Sequence, residues 1–265
     1  MINNPVCVFD SGVGSLSIIR ELRKEIPHEN LLYFADRAHF PYGTKQHQEL
    51  HAIITDTIKY LGRYKPKLIL MASTTPSVYL LDEIKKNTSI PLFGVRPPLQ
   101  EACRLTKKKH IGIMATQATI TSKGLAEQIK KEVPQHILIT RINASGLIEL
   151  IEDGTYITNE RRTFDVISNL IGDELDKKID VIALSSTHLP FVSRYLTCLL
   201  PTVKIIDPAR VMSRDVKKFL SSNKKLKKSG VGRLEILVSS GKRQFEQIIR
   251  RMGVKESVRE ISINF

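Results

Sequence analysis

The 265-residue chain is poor in the residues that staple small domains together. It has three cysteines, Cys7, Cys103 and Cys198, scattered along its length. No Cys-x-x-Cys or mixed Cys/His ligand spacing occurs, so neither a structural zinc nor a disulfide framework is expected. Each thiol is expected to be buried as a small apolar group, Cys7 in the first strand and the others in helices. No apolar run nears the roughly 18–20 residues that span a bilayer. The opening "MINNPVCVFD" lacks the basic and apolar regions of an export signal, which points to the cytoplasm. Gly-x-Ser-x-Gly is absent, which weighs against a serine hydrolase. Gly12 and Gly14 begin a dinucleotide fingerprint, but Ser17 stands at its third position, so nucleotide binding is not favoured.

Acidic residues are also short: 27 Asp and Glu face 41 Lys and Arg, a formal net charge of +14. Much of the excess lies in "VKKFLSSNKKLKKSGVGR" from Val216 to Arg233, with seven basic residues and no acid. Phe219 is its one aromatic, too few for a row of base-stacking platforms, so a solvated basic loop is expected rather than a nucleic-acid surface. A positive field also suits a small acidic substrate.

Short β-rich apolar runs alternate with amphipathic helical stretches along the chain. Strands are expected at 6–10, 31–36, 67–73, 92–95, 110–116, 136–142, 180–186, 203–207, 233–240 and 258–263. Several are nearly unbroken apolar runs, as in strands covered on both faces. Strand–helix alternation at this spacing predicts an α/β, doubly wound parallel sheet.

The ends of these runs carry the polar chemistry. Asp10-Ser11, Asp36, Ser73-Thr74-Thr75, Thr116 and Ser185-Ser186-Thr187-His188 each follow an apolar run. Open α/β sheets bind ligands beyond the carboxyl ends of their strands, although single Ser and Thr residues there are more often helix caps. "LMASTTP" (70–76) and "LSSTHLP" (184–190) form a matched pair. His188 is read as the one histidine of seven just past a strand, a candidate acid, base or orienter beside Ser186.

"FDSGVGSLSIIRELRKEIPHENLLYFADRAHFPYGTK", "IGIMATQATITS", "LIELIEDG" and the two matched segments together resemble the cofactor-independent glutamate racemases of the aspartate/glutamate racemase superfamily. The resemblance covers about residues 5–210 and continues weakly through "LVSSGKRQF". It implies two similar doubly wound lobes related by a pseudo-twofold, with a ligand cleft between them. The lobes are expected at 1–97 plus 208–265 and at 98–207. It implies an isomerase that makes D-glutamate for peptidoglycan, without cofactor or metal, acting on glutamate or alternatively aspartate, and it allows a homodimer. The residues it assigns to substrate binding are Asp10, Ser11, Tyr42, Gly43, Thr74, Thr75, Thr187 and His188. Asp36 and Glu152 fall on further acidic positions, and the Gly12–Gly14 turn would help hold a carboxylate.

The family's two catalytic cysteines fall on Ser73 and Ser186. Thr74 stands for its Asn, Ser185 for a Gly and Leu189 for a Tyr. A hydroxyl is a poor base unless a neighbour activates it; His188 could serve Ser186, and nothing comparable stands beside Ser73. Thiol chemistry is therefore excluded at both positions. The alternative reading is an inactive acidic-amino-acid-binding or regulatory protein.

Overall fold

The computed structural model describes residues 2–172 and 175–262. The chain forms two compact units, Met1–Val95 with Ala209–Phe265, and Arg96–Pro208.

The first unit opens with β1 (Val6–Asp10), α1 (Leu16–Glu25), β2 (Leu31–Ala35), α2 (His47–Gly62), β3 (Leu68–Met71), α3 (Thr74–Ile84) and β4 (Leu92–Gly94). The second follows with α4 (Leu99–Leu105), β5 (His110–Ala115), α5 (Gln117–Ile120), α6 (Lys123–Glu132) and β6 (Leu138–Asn143). It continues through α7 (Ser145–Glu152), α8 (Thr155–Thr158), α9 (Glu160–Ile171), α10 (Leu175–Lys178), β7 (Val181–Leu184), α11 (Ser193–Leu199) and β8 (Lys204–Ile206). α12 (Pro208–Ser222) leads back to the first unit, which adds β9 (Leu234–Val238), α13 (Lys242–Arg251) and β10 (Val258–Glu260). Each expected strand is present, most of them trimmed at one or both ends.

Both sheets are parallel. The first runs β10-β9-β2-β1-β3-β4 and the second β6-β5-β7-β8. Numbered from the start of each unit, the four strands of the second sheet repeat the order of β2-β1-β3-β4 in the first. β3 and β7 are therefore equivalent, and so are β1 and β5.

Burial explains the apolar runs. All residues of β1, β2, β3 and β7 are buried, since helices cover both faces. Phe9, Phe34, Ile54, Leu61, Ile69, Met71 and Leu80 share one core cluster, each side chain of this kind contributing about 1.5–3 kcal/mol on full burial. α1 turns Leu16, Ile18, Ile19 and Leu22 inward and places Arg23 and Lys24 at its carbonyl end, where cations are favoured. Gly94 has no room for a side chain: a Cβ there would lie 2.8 Å from both Leu81 Cδ2 and Ser77 Oγ, so its absence lets α3 close onto β4.

Three expectations need correction. Only Cys7 is buried; Cys103 is half-buried and Cys198 exposed. α11 turns Leu196 inward, and two residues on, about 200° round the helix, Cys198 faces away. The basic segment is not a loop throughout, because residues up to Ser222 complete α12. Beyond it the segment is largely exposed, yet tied down: Glu29, buried beneath it, accepts from Lys67 Nζ at 2.8 and 2.7 Å and from the Lys227 N–H at 2.6 Å.

Candidate active site

The matched hydroxyl clusters occupy equivalent places in the two sheets. Met71 is the last β3 residue paired with β1, opposite Phe9, and Leu184 the last β7 residue paired with β5, opposite Met114. The next N–H after each strand, of Ala72 and of Ser185, donates at 2.8 Å to the carbonyl of Phe9 and of Met114. Ser73 and Ser186 come next, so sheet geometry delivers both to the same position at a carboxyl edge.

Their local settings differ. Ser73 is the half-buried N-cap residue of α3, but its hydroxyl makes no cap bond; its carbonyl instead accepts from Ser77 Oγ at 2.6 Å. Among the described residues, no histidine or carboxylate bonds to the Ser73 hydroxyl. Thr74 opens α3 with its hydroxyl buried and without a hydrogen-bond partner, while Thr75 is half-buried. Pro76 sits in the first turn, where its missing N–H costs no helical bond.

Around the end of β1 lies a second polar group. The Ser11 N–H bonds to Asp10 Oδ1 at 2.7 Å, and both residues are buried. Asp36, fully buried after β2, receives the Tyr42 hydroxyl at 2.9 Å, the Ser239 hydroxyl at 3.0 Å and His39 Nδ1 at 2.9 Å. Burial first, then the charges of Asp36 and Asp10, raise the Tyr42 phenol well above its usual range, which keeps it a neutral donor. The Tyr42 N–H faces Ser11 Oγ at 3.4 Å, and Gly43 beside it is exposed. The Gly12–Gly14 turn is held from behind, with Tyr33 donating to the Gly12 carbonyl at 2.6 Å.

In the second unit, Ser186 lies 7 % exposed at the end of β7. Its Oγ is 3.5 Å from His188 Nδ1 and accepts the His188 N–H at 3.3 Å. On the other side of the ring, His188 Nε2 meets Glu152 Oε2 of α7 at 2.7 Å. Glu152 and Thr187 are buried, and the Ser185 hydroxyl turns back to the Ala183 carbonyl at 3.4 Å. Thr116 is a helix cap, accepting the Thr119 N–H at 3.2 Å.

Two residues of the Asp36 network escaped the sequence reading. His39, not only His188, lies just beyond a strand, and its ring closes onto Asp36. Ser239, at the end of β9, bridges Asp36 and the Ala38 N–H, which it accepts at 2.9 Å. The one available signal was a Ser-Ser pair ending the run "LEILVSS".

Residues 15–215 match the family model for Asp/Glu/hydantoin racemases. A glutamate racemase from Herpetosiphon aurantiacus is 30% identical over 94% of this chain and 97% of its own. Among solved structures, a Thermus thermophilus glutamate racemase in complex with β-chloro-D-alanine aligns at a TM-score of 0.86, with 28% identity and 98% of each chain covered. The Francisella tularensis glutamate racemase in complex with D-glutamate gives 0.84, with 27% identity and the same coverage. With that match running through both strand-end clusters, the chain belongs to the Asp/Glu/hydantoin racemase family, among its glutamate racemases.

Proposed function

We propose that this chain binds glutamate, with aspartate as the alternative, and that its two serines leave racemisation severely impaired. Asp10, Ser11, Tyr42, Gly43, Thr74, Thr75, Thr187 and His188 form the substrate shell of this reading. In it Ser73 and Ser186 hold the acid/base positions, and Asp36 and Glu152 are further acidic residues of the site. The observation that carries it is that each unit ends an equivalent strand in a hydroxyl cluster, with Ser73 in one and Ser186 in the other where the family's thiols would stand. The buried Thr74 hydroxyl supports the binding half, since a buried polar group without a partner is one a ligand can satisfy. A structural relative that holds D-glutamate supports the choice of ligand.

Stereoinversion at an α-carbon needs one group to remove the proton and another, on the opposite face, to return one. A cysteine with an ordinary pKa near 8.5 supplies thiolate once its site lowers that value. A serine hydroxyl supplies almost no alkoxide at neutral pH without a base beside it. Ser186 has such a base in His188, and Ser73 has none among the described residues.

A second reading keeps an isomerase that forms D-glutamate for peptidoglycan, with His188 itself as one base. The 2.7 Å bond to Glu152 favours it, because that carboxylate would stabilise the imidazolium once the ring took a proton. Either reading places the protein in the cytoplasm and accommodates a homodimer. No helix among the described residues is long and apolar enough to cross a membrane.

Circular dichroism of L- and of D-glutamate incubated with the protein in deuterated water, with NMR of the α-proton, tests both halves. The expected result is no rotation change and no α-deuterium over hours, with glutamate bound. Rapid racemisation would overturn the impaired reading, and failure to bind glutamate at millimolar concentration would remove the binding one.

A further inference from the structure

The second unit holds an arrangement that suits a chemistry other than proton transfer at an α-carbon. Ser186 Oγ, His188 and Glu152 form a serine–histidine–carboxylate relay, at 3.5 Å from Oγ to Nδ1 and 2.7 Å from Nε2 to Oε2. We propose that Ser186 is an activated nucleophile, able to take an acyl group from small activated carboxylic esters and pass it to water. The inference rests on the second unit alone and stands whether or not glutamate binds.

Three features carry it. The Glu152 carboxylate, 8 % exposed, accepts from His188 Nε2 and so favours the tautomer with the proton on that nitrogen. That leaves the Nδ1 lone pair facing the Ser186 hydroxyl, as a general base requires. The His188 N–H also reaches Ser186 Oγ at 3.3 Å, a donor that stabilises negative charge there as the proton leaves. Finally, β7 ends at Leu184 and the chain turns at once into the short helix Leu189–Val192, so Ser186 sits on a tight strand-to-helix turn. The Gly-x-Ser-x-Gly elbow is one way to place a serine on such a turn; here the end of a buried strand does so without glycine.

The chemistry balances. Ser186 Oγ bonds to the ester carbonyl carbon while its proton passes to His188 Nδ1. The bond from that carbon to the leaving oxygen breaks, and the leaving alkoxide or phenoxide takes the proton from Nδ1. Water then attacks the acyl-serine, giving a proton to Nδ1, which returns it to Ser186 Oγ as the carboxylic acid departs. No oxidant, reductant or metal enters the balance.

A fluorophosphonate probe with peptide mass spectrometry, and the release of p-nitrophenol from p-nitrophenyl acetate, test the relay on the full-length protein. The expected result is one adduct per chain on Ser186 and a p-nitrophenol burst of about one equivalent. Ser186→Ala should abolish both, and His188→Asn and Glu152→Gln should slow labelling by about tenfold or more. Ser221→Ala, on the exposed end of α12, should change neither. An adduct absent from Ser186, or formed as fast in folded His188→Asn, would overturn the proposal.

Ser186→Cys gives a second readout that does not depend on the histidine variant folding. Its alkylation by iodoacetamide should have a pH midpoint at least one unit below the ordinary thiol value of about 8.5. A midpoint at or above that value would overturn activation by His188. Glutamate binding, followed separately by thermal shift, reports on the other reading and on nothing in this one.

Discussion

Ser73 and Ser186 stand at the same position of two equivalent strands, two residues beyond Met71 and Leu184, yet among the described residues only Ser186 of the two has a histidine against its hydroxyl. Two-base isomerisation needs an acid/base group from each of the two positions, and with unequal neighbours two serines cannot both supply one. Restoring thiols at both places is therefore expected to create racemisation, if the shell still orients glutamate. Ser73→Cys combined with Ser186→Cys should produce measurable loss of rotation from L-glutamate. Each single variant should fall about a hundredfold or more below the double, because one base cannot serve two faces. A folded, glutamate-binding double variant without activity would place the fault in the surrounding residues, Thr74 and Ser185 first.

Binding itself is checked by thermal shift. A ligand held by the folded chain alone, at about 100 times its dissociation constant, adds about 2.7 kcal/mol of stability. L- or D-glutamate is expected to raise the melting temperature, and His188→Ala or Thr75→Ala to reduce the rise. Equal stabilisation by acetate or chloride would signal a charge effect on this basic chain rather than a site.

The strands were legible because burial on both faces leaves almost unbroken apolar runs, as in "VCVFD" and "KLILMAS". Their ends were legible for the converse reason, since polar residues resume where cover stops. What could not be read was distance in sequence turned into contact. Ser239 meets Asp36 across 203 residues, and the strand pairing that brings them together, β2 with β9, leaves no local mark. His39 was passed over because a one-turn helix after β2 hides the strand end that it follows. Glu152 was assigned through family likeness, but its bond to His188 depends on how α7 packs beneath the turn after β7. Cys198 failed for a simpler reason: burial as a residue-type preference is overruled by the face of the helix a residue occupies.

The Lys67–Glu29 pair offers a test of the basic segment. Glu29 is 3 % exposed, and Lys67 Nζ, besides gripping its carboxylate, donates to the Lys225 carbonyl at 2.7 Å. Removing one partner of a buried pair leaves an uncompensated charge, at a cost of about 3–5 kcal/mol. Lys67→Met is expected to destabilise the chain by that order in urea titrations and to speed trypsin cleavage between Lys224 and Arg233. A loss of under about 1 kcal/mol would mean that water reaches Glu29 and that the segment is not held through it.

Tyr42 predicts how stability depends on alkaline pH. Burial, and then the charges of Asp36 and Asp10, raise its phenol well above the usual range. In the unfolded chain the phenol ionises near its ordinary value of about 10. Above that pH the unfolded state loses a proton that the folded state keeps, so stability falls as pH rises toward the folded value. Below it this contribution is fully present. Tyr42→Phe removes the titrating group along with its 2.9 Å bond to Asp36. At pH 7 the variant should therefore be less stable by about 1.5–3 kcal/mol, the cost of one hydrogen bond to a charged acceptor. Between pH 9.5 and 11, urea midpoints of the wild type should fall more steeply than those of Tyr42→Phe, so that the two curves converge. Parallel curves across that interval would show that Tyr42 ionises as readily folded as unfolded, and that Asp36 is not held by a neutral phenol.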